Sequence, residues 1–310
     1  MTEVPQDDTE LRTEGLNIST PPVEVSTSTA TISGFHRRQA FPGFGQAILL
    51  FICMIFLQVL LTLPFVFLGL YRNPLALALP TLVGSAAALV YGYSKNFVRT
   101  GDRFRAVFSF APVPVHLFFF VLVTVVGLLL VNLQLTRAVL RLIPPPSAFS
   151  RILADTIRPG QPWTALVAVV LVAPVSEELL FRGLVLHAFI ARYGARKAMI
   201  TSAILFALVH GNPWQFCTGL LFGLFLAWCF VRTQSLLPCL LAHIANNSIA
   251  FFLPRIQLRI PAVAVWMKNH FMLLDAAGVC ILIAGGCLFY KFTNTNGLRH
   301  SPENLKETKC

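Results

Sequence analysis

Phe44–Leu70 reads FGQAILLFICMIFLQVLLTLPFVFLGL, an apolar run without one charged side chain. About 20 apolar residues cross the hydrocarbon core of a bilayer, so the run is long enough to span it as one helix. Lipid offers the backbone no hydrogen bonds, and a helix satisfies every N–H and C=O within the segment. Seven further apolar segments follow: Leu75–Tyr93, Val113–Leu135, Trp163–Ile190, Ala198–His210, Trp214–Val231, Leu236–Leu253 and Phe271–Tyr290. The pattern predicts an all-α polytopic membrane protein with about eight transmembrane helices. The fifth segment is short for a span, which predicts a helix buried by its neighbours. The link Thr136–Pro162, carrying Pro144–Pro146, is expected along one membrane surface.

Composition agrees. Hydrophobic residues make up 56% of the 310 positions, charged residues 12%, and the mean hydropathy is +0.71. Soluble domains carry about 25% charged residues, and half that fraction cannot cover a water-facing surface. The first 40 residues differ: Thr20–Ser33 (TPPVEVSTSTATIS) is polar and aperiodic, which predicts a disordered tail. The tail lacks the form of a cleaved signal, and the first apolar run is too long for a signal core, so it is expected to be retained. The organisation predicted is a tail over 1–40, one membrane domain over 41–292 with its polar motifs within 165–252, and a short tail over 293–310. Neither an internal repeat nor a pair of inverted halves is visible.

The net charge of +11 points to topology and anionic lipid, not to nucleic acid, because the basic residues are dispersed beside no recognition motif. With eight spans and the N-terminus inside, the inner segments hold 15 of the 24 Lys and Arg residues and the outer segments 8. That bias places both termini in the cytosol, and in a bacterial cell the plasma (inner) membrane would hold the protein. Seven cysteines form no CxxC pair, and the six before Cys310 lie in apolar segments as small hydrophobes.

Only Glu177, Glu178 and Asp275 among the acidic residues fall within apolar segments. An ionisable side chain costs about 2.5–3.5 kcal/mol at the centre of a membrane helix, so it marks a functional site by default. Asp275 sits near a segment end, within reach of water. The glutamates lie mid-helix in LVAPVSEELLFRG, with Arg182 on the same helix. Glu178 and Arg182 are i,i+4 neighbours with the acid first, the favourable order. Glu177 is turned about 100° away, so Arg182 fixes one carboxylate while the other faces a cavity. Desolvation and a neighbouring carboxylate both favour a general base there. Pro174 removes a helical hydrogen bond just ahead of the pair. A packing salt bridge accounts for Glu178 and Arg182 but leaves Glu177 unexplained.

Two other helices carry matching groups. Phe206 and His210 share one face at i,i+4, as do His243 and Asn247, with Asn246 the alternative inward amide. One histidine in an apolar helix is more often a packing residue, but three helices bearing such groups form a pattern. His187, about 180° around the helix from Glu178, stays outside it.

The set Glu177-Glu178-x-x-x-Arg182, Phe206-x-x-x-His210 and His243-x-x-x-Asn247, with Phe181-Arg182-Gly183 after the glutamates, resembles the motifs of the CPBP (Abi) intramembrane proteases. That family includes the type II CAAX prenyl endopeptidases and bacterial relatives linked to bacteriocin processing or immunity. The resemblance covers roughly Ala165–Phe252. It implies an intramembrane endopeptidase acting on a peptide or prenylated protein within membrane lipid. Glu177 would activate water, Glu178 and Arg182 would shape and charge the site, and His210 would assist the water or polarise the carbonyl. His243 and Asn247 would complete the pocket and stabilise the oxyanion. The motifs leave the metal open: Glu178, His210 and His243 offer a ligand set for zinc, whereas the absence of an HExxH helix suits a metal-independent glutamate mechanism.

Two other classes compete. A proton- or ion-coupled transporter also needs intramembrane carboxylates, but it predicts repeated halves with broken helices. A non-catalytic immunity or binding scaffold of the same fold predicts missing catalytic groups, and none is missing. One geometric discrepancy stands out. At 1.5 Å per residue, Glu177 and His210 lie roughly 20 Å from the inner face, but His243 only roughly 10 Å if its helix starts at Leu236.

Overall fold

The computed structural model describes residues 39–70, 75–147 and 166–295, so the expected tails over 1–40 and 293–310 lie almost wholly outside the described residues. Every apolar segment marked above is mostly helical over its described part, and no strand occurs among the described residues. The helices are α1 Phe44–Phe67, α2 Leu75–Thr100, the single turn α3 Phe104–Val107 and α4 Val115–Leu142, then α5 over 168–193. They continue with α6 Ala195–Leu208, α7 Pro213–Thr233, α8 Leu237–Arg259, α9 Pro261–Asn269 and α10 Phe271–Thr295. Five of them (α1, α4, α7, α8 and α10) are long and apolar enough to cross a membrane.

Helix α4 runs through Leu142, so the first part of the link expected along the surface is helix instead. Its apolar turns pack against α10, where Gly127 meets the Leu282 backbone and Gly285 meets Thr124. Small residues let two membrane helices approach backbone to backbone in this way. Helix α6 is covered on one side only: Ala203, Phe206 and Ala207 are buried, whereas Ile200 and Leu208 are exposed.

Hydrogen bonds gather the start of α1 and the ends of α2, α5, α7 and α10 at one end of the bundle. Phe41 N donates to Asn96 Oδ1, Phe44 N to the Tyr193 hydroxyl, and Arg232 to Thr293 and Asn294. Both ends of the described chain therefore share that end. At the opposite end Trp214 Nε1 donates to the Ile143 carbonyl and Gln134 to that of Phe271.

The segment 101–114 enters the first end of the bundle and positions the site. Phe108 is buried against Gly183, where a Cβ would overlap its ring. The adjacent Ser109 carbonyl accepts the N–H of Leu236 at 2.8 Å, and its hydroxyl donates to the Gln234 carbonyl at 2.6 Å. Helix α8 thus starts at the level of Gly183, already recessed, which closes the depth gap that counting residues left at His243. Helix α5 itself continues to Tyr193. Beside this segment His187 Nε2 faces Asp102 Oδ2 at 3.5 Å, which holds the Asp102 carboxyl below the ordinary aspartate range and keeps His187 away from the glutamates.

Candidate active site

Helix α5 has no single pitch. Ala168–Val172 and Leu179–Leu186 are π-helical, and the α-helical turn Ala173–Glu178 between them carries Pro174, Glu177 and Glu178. Wide turns inside helices are rare and gather at functional sites. In the first stretch Ala173 N donates to Ala168 O, the i+5 register. The next rung would run from residue 174 to Val169 O, and a proline has no N–H to give. Asn247 of α8 supplies the missing donor: its Nδ2 reaches Val169 O at 2.9 Å. Asn246 Nδ2 donates in turn to Asn247 Oδ1 at 3.2 Å.

Glu178 and Arg182 are fully buried, at 0% exposure. Arg182 Nη1 donates to Glu178 Oε1 at 3.0 Å, as the i,i+4 spacing requires. Its Nη2 reaches the Gly223 carbonyl of α7 at 3.3 Å, and its guanidinium lies 4.5 Å from the centroid of the Phe206 ring of α6. One cation thus joins three helices. Charges this deep persist only when paired and hydrogen-bonded. Glu178 Oε2 and Arg182 Nε have no hydrogen-bond partner among the described residues.

His243 of α8 lies between the two glutamates. Its Nδ1 is 2.6 Å from Glu178 Oε1 and its Nε2 is 3.8 Å from Glu177 Oε2. The short contact is a charge-assisted hydrogen bond in which Nδ1–H donates, so Nε2 is left turned to Glu177. Glu177 is the open member of the pair, with its side chain 28% exposed. Phe206 and Phe222 pack their rings edge-on against His243 at 5.8 and 5.3 Å.

His210 departs from the expected arrangement. Helix α6 ends at Leu208, and His210 follows in the closing turn before Gly211, whose φ is +66°. Its Nδ1–H donates to the Phe206 carbonyl at 2.9 Å, capping the helix as a basic residue at a C-terminus does. His210 and His243 both touch the Phe206 ring, at 5.3 and 5.8 Å, but no hydrogen bond joins His210 to either glutamate or to His243. Asn247 also departs, since its amide is turned to Val169 O. Among the described residues no three His, Cys, Asp or Glu side chains are gathered as a metal site. Glu178 and His243 bind each other and His210 binds a carbonyl, so Glu178, His210 and His243 are not assembled as a zinc cage. Asp275 is half-buried, with Oδ1 enclosed and without a partner among the described residues. Sequence reasoning missed the Gly223 and Val169 carbonyls; Pro174 was the one signal that a carbonyl nearby lacked its donor.

The arrangement is therefore a buried Arg–Glu–His chain ending beside one accessible carboxylate. Residues 159–249 match the family described as type II CAAX prenyl endopeptidase Rce1-like. The match covers 91 of the 310 residues. It spans all six polar residues above and leaves α1–α4, α9 and α10 outside it. The Rce1-like family is a protease family, and five helices of this chain are long and apolar enough to cross a membrane, which supports an integral membrane protein. No curated protein and no solved structure matches the chain.

Proposed function

We propose that the Rce1-like domain is an intramembrane endopeptidase in which Glu177 activates the attacking water. The observation that carries this is the 3.8 Å separation between Glu177 Oε2 and His243 Nε2. It is too long for a direct hydrogen bond and suits a water that bonds to both. Glu178 holds the His243 Nδ1 proton, so Nε2 is free to accept from that water. Glu177 takes a proton as the water oxygen attacks the scissile carbonyl, then returns it to the departing amine as the C–N bond breaks. Arg182 holds Glu178 in place. His210, its Nδ1–H committed to Phe206 O, presents Nε2 to the water, or once protonated to the oxyanion. Asn247 retains one amide N–H for the same oxyanion.

The substrate class we assign is a peptide with a CAAX-type prenylated C-terminus, presented from the surrounding lipid. The membrane domain spans 41–292 in eight crossings, and the end that gathers the start of α1 and the end of α10 faces the cytosol. The test is cleavage of a farnesylated CAAX peptide and its unprenylated counterpart by protein purified in detergent, read by mass spectrometry. Wild type should release the C-terminal tripeptide and Glu177→Gln should not. Equal release by folded Glu177→Gln would remove Glu177 from the chemistry, and preference for the unprenylated peptide would overturn the substrate class.

A further inference from the structure

We propose that Asn247 is a positioning residue: it stands in for the backbone donor that Pro174 lacks and so holds the wide turn that presents Glu177. This deepens the reading of the site given above. Three observations meet here. Ala173 N bonds Ala168 O, which fixes the i+5 register and makes residue 174 the helical donor due to Val169 O. Pro174, buried in α5, has no N–H. Asn247 Nδ2 occupies that carbonyl at 2.9 Å, and Asn246 orients the amide by donating to its oxygen. An unmet carbonyl in lipid is costly, so without the amide the turn would have to tighten or admit water.

The consequence reaches the glutamates. Helix α8 grips α5 on both sides of the proline, through Asn247 at Val169 and through His243 at Glu178. Glu177 lies on the stretch between those grips and bonds to neither, so its direction depends on the pitch that they impose. Asn247 thus acts on Glu177 through the backbone, a task separate from any contact with a reacting carbonyl. The same proline that interrupts the helix makes the asparagine necessary.

A substitution that restores the donor separates the two tasks. Pro174→Ala returns an N–H to the register position facing Val169 O. Asn247→Ala alone should lower Tm and speed amide exchange across 168–178 by roughly 2–10-fold, the worth of one hydrogen bond. In Pro174→Ala/Asn247→Ala both readouts should return to those of Pro174→Ala alone. Cleavage of the farnesylated peptide should fall in the single variant and recover only in part in the double, which still lacks the amide N–H offered to the oxyanion. If Asn247→Ala fails to fold, recovery of folded protein in the double variant supports the proposal and failure of both overturns it. Unchanged exchange and Tm in Asn247→Ala, or losses equally large on the Pro174→Ala background, would also overturn it. Exchange and Tm do not depend on turnover, so an absence of cleavage in every variant would count against the proposed function and leave this inference to be judged on exchange alone.

Discussion

Replacing Arg182 with alanine should separate the group that holds the site from the group that performs the chemistry. Arg182 and Glu178 are both fully buried, and their 3.0 Å pair is one of two bonds to Glu178 Oε1. Removing the guanidinium leaves the carboxylate with His243 alone and strips the Gly223 carbonyl and the Phe206 face of their partner. Breaking a buried pair from one side costs about 3–5 kcal/mol. At about 2–4 °C per kcal/mol for a domain of roughly this size, Tm should fall by roughly 6–20 °C. Glu177→Gln is the contrasting change. Glu177 is 28% exposed and makes no direct bond to His243, so the stability of Glu177→Gln should stay within about 0.5 kcal/mol of wild type. Turnover should nonetheless drop roughly 10²–10⁴-fold with the base removed. The double variant Glu178→Gln/Arg182→Met removes both charges together, and such replacements are often near neutral, so it should melt above Arg182→Ala. The assay is melting and peptide turnover in the same detergent for all four proteins. Arg182→Ala melting with wild type, or the double variant melting no higher than Arg182→Ala, would refute the buried-pair argument.

Gly183→Ala should push its Cβ into Phe108, cost about 1–3 kcal/mol in a thermal melt, and be relieved by Phe108→Leu in the same chain. Asp102 has its carboxyl held down by the His187 hydrogen bond, so its contribution is complete above the ordinary value of 3.8 and is lost as pH falls through the lower folded value. Melting of wild type and Asp102→Asn across pH 2 to 7 should therefore differ at the upper end and converge at the lower, and a constant gap would contradict the linkage. Reporters fused after Lys309 and within 95–105 should both report cytosol, and a signal from the far side at either position overturns the proposed orientation. Because Glu178 and His243 bind each other, cleavage should persist after dialysis against a strong chelator; loss of activity with recovery on adding zinc would place a metal in the site.

The sequence alone determined the solvent and most of the secondary structure, and it singled out the polar residues of the candidate site. Long uncharged runs have one stable form in lipid, and a 3.6-residue repeat fixes which side chains share a face, so Glu178–Arg182 and Phe206–His210 were legible as pairs. The separation of His187 from the glutamates was legible on the same grounds. Tertiary structure decided the rest, because it turns on groups far apart in the chain. The depth of His243 follows from a bond between Leu236 and Ser109, anchored where Phe108 packs on Gly183. The partner of Asn247 is a carbonyl 78 residues away, vacant because of a proline and a local change of pitch. The turn at Gly211 took His210 off its helix and onto the Phe206 carbonyl. Helical periodicity says which face a residue occupies, but how far each helix slides into the bundle is set by packing and by the demand that every buried polar group find a partner.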